Sequence, residues 1–447
     1  MLRLGCGAGF SSDRLSPAID LARDGNLDWL IFETIGERTL AFGHRDRQLD
    51  PRKGYNPQLA KRLEAVLPHC RRNSTRIMTN MGVANVPAAA EVVVDVARRL
   101  DLKGLKVAAL LGDEVTHLIT PETVLFDYGD RPVSAVGKPL VGANVYLGMD
   151  AILPAVQSGA DVIITGRVAD PSLFLAPIAA HFDWRMDDWQ RLGSGTLVGH
   201  LMECGMQVTG GYFADPGLKD VPRLADCGFP IAEVEADGRA TITKLDGSGG
   251  AVTPRTVKEQ LMYEVHDPAA YLTPDVTADF SRVEVAKTGN DRVSVANASG
   301  HARPDKLKVT VGFDGGFLGE AGVSYAGPGA ARRAELAAAI LHELLARVPG
   351  AADNYRIDLI GLDAVHATAE TAPDAVRETA RDVRVRCAMR TMDREPVETM
   401  LWEVEALLCC GPAGGGGYRG RITPSVVTQS ALIDRSAVST TVQMYEA

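Results

Sequence analysis

The sequence predicts an α/β protein in two parts. Residues 1–225 form an N-terminal α/β domain on a parallel sheet, either doubly wound or closed into a barrel, and residues 226–447 form a C-terminal α+β domain. Three observations predict this. The chain has 447 residues, enough for two or three ordinary domains. Up to about residue 175, short apolar runs alternate with amphipathic helical stretches, the pattern of strand–helix–strand units. From about residue 226 the texture changes to β-rich runs separated by turn residues, which predicts antiparallel hairpins.

Six strands are predicted in the first part: LRLGCG (2–7), WLIFE (29–33), RIMTN (76–80), KVAAL (106–110), LVGANV (140–145) and DVIITG (161–166). Helical stretches lie between them, among them SPAIDLARDG, PQLAKRLEAVLP, AAAEVVVDVARRLD and DAILPAVQSGA. Several open on Ser, Asp or Pro and close on Gly, the residues that start and stop helices. The second part carries the strand pairs IAEVEADGRATITKL, RVEVAKTGNDRVSVAN and KLKVTVGFDGGFLGEAGVSYAG. Its helices are ARRAELAAAILHELLARV (331–348) and REPVETMLWEVEALL (394–408), placed between the strand-like runs IDLIGLD and VRVRCAMR.

A net charge of -10 and a pI near 5.5 leave no basic field for a phosphate backbone, so nucleic acid is excluded as a partner. No apolar run reaches the 18 or so residues of a membrane span, and the opening MLRLGCGAGF lacks the form of a signal peptide, which predicts a cytoplasmic protein. The seven cysteines include no CxxC pair and read as thiols in a reducing compartment.

Ligands of parallel sheets bind beyond the carboxyl ends of the strands. Every predicted strand ends in a polar group: Ser11, Ser12 and Asp13; Glu33 and Thr34; Asn80 and Asn85; Asp113; Asn144 and Tyr146; Arg167 and Asp170. In ITGRVADPSLF, Asp170 has the form of a helix cap before Pro171, whereas Arg167 has no local role, and its planar fork suits a carboxylate or phosphate. In VGHLMECGMQVTGGYF (198–213), helical spacing puts His200, Glu203 and Gln207 on one face of a mostly apolar helix. Buried groups of this kind need partners, so the stripe is predicted to close a site over the strand ends.

Two glycine-rich stretches have the composition of anion cradles. DGSGGAVTPRTVKEQL carries Gly249 and Gly250 into a helix start with Arg255, and GPAGGGGYRG carries Gly415 and Gly416 beside Arg419. Neither has the GK[ST] of a phosphate-binding loop. The opening GCGAGF places Gly5 and Gly7 after a strand, but Phe10 stands where a dinucleotide fingerprint needs its third glycine. GVSYA lacks the second glycine of a nucleophile elbow.

The motifs TNMGVANVP, TGRVADPS, GHLMECGMQVTGGYF, GFPIAEV and TVKEQLMYEVHDPAAYLTPDVTADF together resemble the acyclic terpene utilisation protein family, over nearly the whole chain. The resemblance implies a role in breakdown of citronellol- or geraniol-like terpenoids and branched acids through CoA esters. It also implies a small ferredoxin-like domain at the C-terminus of many relatives; the sequence to Ala447 does not contain it, and that function is expected to be dispensable or supplied by a separate small ferredoxin-like protein. Where the family's second strand often ends Asp-Tyr-Leu-Ala-Glu, this chain reads FETIGERTL (32–40), keeping Glu33 as the carboxylate.

These readings combine into an enzyme acting on a carboxylate or acyl-CoA ester as a lyase, hydratase or hydrolase. Glu33 or Glu203 is the expected general base, His200 the proton shuttle, and Asp170 a further catalytic carboxylate. Arg167 and Asn144 anchor an anionic group, with Asn85 as a further binding residue. Asn80 and the backbone of the Gly5, Gly7 and Gly9 loop stabilise an oxyanion. No cofactor is required, CoA enters only as part of the substrate, and a homo-oligomer is expected. Two alternatives are a non-catalytic subunit partnering an acyl-CoA carboxylase or the ferredoxin-like protein, and a hydrolase with metal on His200, Glu203 and a strand-end ligand.

Overall fold

Five parallel strands carry the site. Leu2–Ala8, Trp29–Phe32, Arg76–Thr79, Val162–Thr165 and Lys106–Leu111 lie side by side in that order, each neighbouring pair parallel. They read as nearly unbroken apolar runs because both faces are covered. On one face the helices Ser16–Asp24, Leu59–Asn73 and Val86–Arg99 bring Leu21, Leu63, Val66 and Val93 against Leu30, Phe32, Ile77, Val107 and Ile164. The alternate strand residues, Leu4, Cys6, Ile31, Met78, Ala108 and Ile163, are equally buried on the other face. There the helices Met149–Gln157, Ser172–His181 and Trp189–Glu203 pack. The computed structural model describes residues 1–351, 354–362, 364–365 and 374–447.

Antiparallel strands extend this sheet on both sides. Pro230–Val234 pairs with Leu2–Ala8 and is followed outward by Ala240–Lys244, Arg292–Ala296 and Glu284–Gly289; Thr441–Glu446 pairs with Lys106–Leu111. Among the described residues the sheet therefore has ten strands and ends on Glu284–Gly289 and Thr441–Glu446. It is open and doubly wound, and the barrel alternative does not apply.

The change of texture near residue 226 marks the switch from parallel to antiparallel pairing. In space, the strands that follow it join the same sheet, because Leu2–Ala8 offers them an edge. The compact units are residues 1–312 with 428–447, and residues 313–427. In the second unit, Tyr355–Ile360 and Asp382–Thr391 pair antiparallel and the latter pairs with residues 317–326. Helices Ala330–Leu345 and Glu395–Cys410 cover that sheet through Ala334, Leu341, Met400 and Val404. The run IDLIGLD is strand as expected up to Ile360, while its Asp363 lies outside the described residues.

Three expectations need correction. LVGANV forms the strand Leu140–Val145, but it pairs with Lys306–Ala326 and not with the parallel sheet. The places beside Lys106–Leu111 belong to Val162–Thr165 and Thr441–Glu446. KLKVTVGFDGGFLGEAGVSYAG is no hairpin. It is one strand of 21 residues, Lys306–Ala326, in which the glycines of DGG allow close backbone approach instead of a turn. Finally, the helix expected across 198–213 ends at Glu203. Gly205 takes a left-handed φ of 57°, and Gly205–Thr209 continues as a 3-10 turn.

That ending matters for position. Asp188 caps the start of Trp189–Glu203, accepting from the Arg191 N–H at 3.2 Å. Its C-terminus abuts the loop after the first strand, where a β-carbon on Gly9 would overlap the Cys204 carbonyl and lie 2.7 Å from the Gly205 nitrogen. Substituting Gly9→Ala is predicted to cost about 1–3 kcal/mol of stability, since the obstruction is backbone that cannot rotate away. Urea denaturation against the wild type measures this, and an unchanged midpoint rejects the close-approach account.

Candidate active site

The loops beyond the parallel strands enclose a cleft of about 580 Å³. Its walls come from Gly9–Asp13 after the first strand, Glu33–Glu37 after the second, Arg167 and Asp170 after Val162–Thr165, and residues 203–212 beyond the helix end. Tyr263 and Glu264, which follow the helix Pro254–Met262, complete it.

Arg167 is the centre of the wall. It is 3% exposed, and the unit charge it carries must be answered inside the protein. Nη1 donates to the Ile35 carbonyl at 2.6 Å and lies 4.0 Å from Glu33 Oε1, while Nη2 pairs with Asp170 Oδ1 at 2.9 Å. The guanidinium stacks 4.0 Å over the Tyr146 ring. Burial works against its charge, but Asp170, Tyr146, Glu33 and Glu37 outweigh it and hold the proton more firmly than in water. Glu37 responds in the opposite sense. Burial would raise it, yet the hydrogen bond from Tyr146 (2.7 Å) and the Arg167 charge bring its carboxyl down to about 2.

Glu33 is held by one oxygen only. Its Oε1 accepts from Asn80 Nδ2 at 2.7 Å and from the Ile35 N–H at 2.9 Å, and no hydrogen bond among the described residues falls on Oε2. Burial, then the charge of Asp170, drive the Glu33 carboxyl well above the usual range, with Arg167 opposing. Burial likewise raises Asp170. Two carboxyl groups sharing one guanidinium, each inclined to keep a proton that a solvated carboxylate would release, form a combination suited to acid–base chemistry near neutral pH.

On the far wall, Glu203 reaches the cleft from the end of its helix. His200, one turn back, is buried behind it, its Nδ1 3.1 Å from Glu203 Oε1 and its Nε2 3.2 Å from the Leu261 carbonyl. Gln207 also lines the cleft.

The structure therefore brings Glu33, Arg167, Asp170 and Glu203 together and sets His200 directly behind. The other expected residues serve the framework. Asn80 positions Glu33 and accepts from the Thr34 N–H at 2.8 Å. Asn85 caps the helix Val86–Arg99 and donates to the Pro51 and Lys53 carbonyls at 2.8 and 2.6 Å. Asn144, on the strand that left the sheet, donates to Asp113 at 2.8 Å and bonds His44. Gly5 and Gly7 make room for the side chains of Leu27 and Phe32.

Neither glycine cradle has the form expected. The N–H groups of Gly249, Gly250 and Ala251 donate to the Asp226, Pro222 and Thr209 carbonyls, so they are spent, and Arg255 reaches the Leu218 carbonyl. Gly415 packs near Tyr325, Gly416 opens a strand, and the exposed Arg419 donates to the Tyr418 carbonyl, all in the second unit. Sequence reasoning missed Glu37, Tyr212, Tyr263 and Glu264. Tyr212 and Glu264 hold left-handed φ values of 62° and 58°, a strain that non-glycine residues keep where the surroundings demand it.

A family model described as acyclic terpene utilisation family protein AtuA matches residues 2–444. The chain belongs to the acyclic terpene utilisation family. No curated protein matches it. A hydantoinase/carbamoylase family amidase from Burkholderia ambifaria is similar over 27% of this chain and 30% of its own, at 18% identity and a TM-score of 0.14, a likeness too slight to carry an argument. Among the described residues of this acyclic terpene utilisation chain, no helix is long and apolar enough to cross a membrane, and no group of three His, Cys, Asp or Glu side chains is placed to hold a metal ion.

Asp113 ties this site to stability. It accepts from the Arg167 N–H at 2.7 Å and from Asn144, and burial pushes its carboxyl up to about 6 from 3.8. The folded state thus binds this proton more tightly than the unfolded chain. The resulting stabilisation is full below pH 3.8 and is lost as pH rises through about 6. Asp113→Asn is predicted to remove this loss, gaining roughly 1–3 kcal/mol on the wild type between pH 4 and 7. Unfolding midpoints at stepped pH decide, and a constant difference between the two proteins rejects it.

Proposed function

We propose that the cleft is the active site of an acid–base enzyme in acyclic terpenoid or branched-acid breakdown. It acts on an acyl ester, CoA thioesters included, in a hydratase, lyase or hydrolase step. The observation that carries this reading is Glu33, a buried strand-end carboxyl that lines the cleft with Oε1 fastened by Asn80 and the Ile35 N–H and Oε2 without a hydrogen bond among the described residues. Fastening one oxygen removes rotational freedom at no cost to the other, which is the condition for a positioned proton acceptor.

The lining favours an ester over a free carboxylate. Six of the lining side chains are acidic, Asp13, Glu33, Glu37, Asp170, Glu203 and Glu264, and Arg167 is the single base. Arg167 gives Nη1 to Ile35, Nη2 to Asp170 and its face to Tyr146, and its remaining Nε is buried, so its charge supports the protein's own carboxylates instead of reaching for an anion. A free acid entering as carboxylate would meet repulsion, whereas a neutral carbonyl meets none. Phe10, Ile35, Met206 and Tyr212 offer apolar surface for the carbon chain.

In this reading Glu33 withdraws a proton from substrate or water, Asp170 returns one, and Arg167 compensates whichever carboxyl is charged. Glu33→Gln keeps the hydrogen bond to the Ile35 N–H while abolishing the base, so turnover is predicted to fall about 10²–10⁴-fold with an unchanged melting temperature. Consumption of branched-chain and terpenoid acyl-CoA thioesters, followed by mass spectrometry, provides the assay. Wild-type turnover retained by the folded variant would remove Glu33 from the chemistry.

A further inference from the structure

The acid–base step proposed for Glu33 leaves the His200–Glu203 pair unused, and hydrogen-bond bookkeeping fixes where its protons are. A carbonyl oxygen only accepts, so His200 Nε2, 3.2 Å from the Leu261 carbonyl, carries a hydrogen. Nδ1, 3.1 Å from Glu203 Oε1, then either carries a second hydrogen as imidazolium against carboxylate, or accepts one from a protonated Glu203.

The surroundings select the second arrangement. The ring is 1% exposed, stacked on Phe280 at 5.8 Å and tilted against Tyr271 at 5.2 Å, an apolar setting that disfavours imidazolium. Glu203 faces the charges of Asp170 and Glu264, with only Arg167 of opposite sign, and Tyr271 and Cys204 are uncharged neighbours. Burial holds His200 down at about 4 and drives Glu203 well up, in agreement with the geometry. The proton of Glu203 is therefore spent on Nδ1. Its Oε2 is buried with no hydrogen-bond partner among the described residues, an acceptor without a donor on a residue that lines the cleft.

We infer that Glu203 is a neutral carboxylic acid locked to His200, and that its Oε2 is the subsite for an uncharged hydroxyl group on the ligand. A hydroxyl supplies the missing donor and adds no charge to an acidic cleft, whereas a carboxylate ligand supplies neither. His200 is a positioning residue: it holds the acid's proton on the side away from Oε2. The inference rests on the cleft being a small-molecule site, but its tests need no turnover.

The first test is nitrogen NMR of protein labelled in its histidines. His200 is expected to show a protonated Nε2 and a bare, hydrogen-bonded Nδ1 in the absence of ligand; a protonated Nδ1 overturns the inference even if Glu33 proves catalytic. Glu203→Gln, whose amide donates to Nδ1 without charge, is expected to keep the melting temperature, and a large loss would mean that a carboxylate was balancing imidazolium. For the subsite, 3-methyl-1-butanol and isovalerate serve as probes of equal carbon skeleton. The alcohol is expected to shift the His200 Nδ1 signal and to bind roughly tenfold more weakly to Glu203→Leu. Absence of an alcohol shift, or isovalerate binding as well as the alcohol, overturns the hydroxyl assignment.

Discussion

A single buried guanidinium organises the cleft end of the parallel sheet. Arg167 leaves the strand Val162–Thr165 and is fastened to residues that follow two others: Ile35 and Glu33 after Trp29–Phe32, and Asp113, which holds its backbone N–H, after Lys106–Leu111. A cation withdrawn from water forfeits several kcal/mol of hydration and recovers it only through close, oriented partners. Three strand-end loops are thereby held in one arrangement, and displacing any of them leaves charge uncompensated. The carboxyl groups that answer the charge are also the ones that line the cleft, so the stability of the site and its acidity have one source.

The opposite wall is assembled from parts far apart in sequence. Close approach at Gly9 seats the end of the helix Trp189–Glu203 against the first strand's loop. Tyr212 and Glu264 are held in left-handed conformations at the rim, at a cost of about 1–2 kcal/mol each. Folded proteins retain such strain where the rest of the fold imposes it, and here it accompanies the side chains that shape the cleft.

Much of this was legible in the sequence. The rule that ligands lie beyond the carboxyl ends of parallel strands pointed to Glu33, Arg167 and Asp170, and the polar stripe on an apolar helix pointed to His200 and Glu203. Asn144 escaped because register in a sheet is decided by competition. Its strand reads like the others, but a segment some 300 residues later, Thr441–Glu446, holds the edge of Lys106–Leu111. The glycine-rich loops misled because composition cannot show whether N–H groups already have acceptors; those of Gly249 and Gly250 do. Tyr263 and Glu264 carry no periodic signal, and only the packing of Pro254–Met262 brings them to the site.

The position of Thr441–Glu446 has a consequence for biosynthesis. Lys106–Leu111 waits for its last neighbour until the whole of residues 313–427 has been made. At about 5–20 residues per second, the ribosome leaves that strand with an open edge on the order of tens of seconds. For that interval the sheet presents unpaired backbone of the sort that recruits other nascent chains. Residues 313–427 have their own helices and sheet and can collapse while the earlier unit is still incomplete. The order of synthesis thus allows the later-made unit to form while the earlier sheet still has an open edge, the stage at which misassociation is easiest.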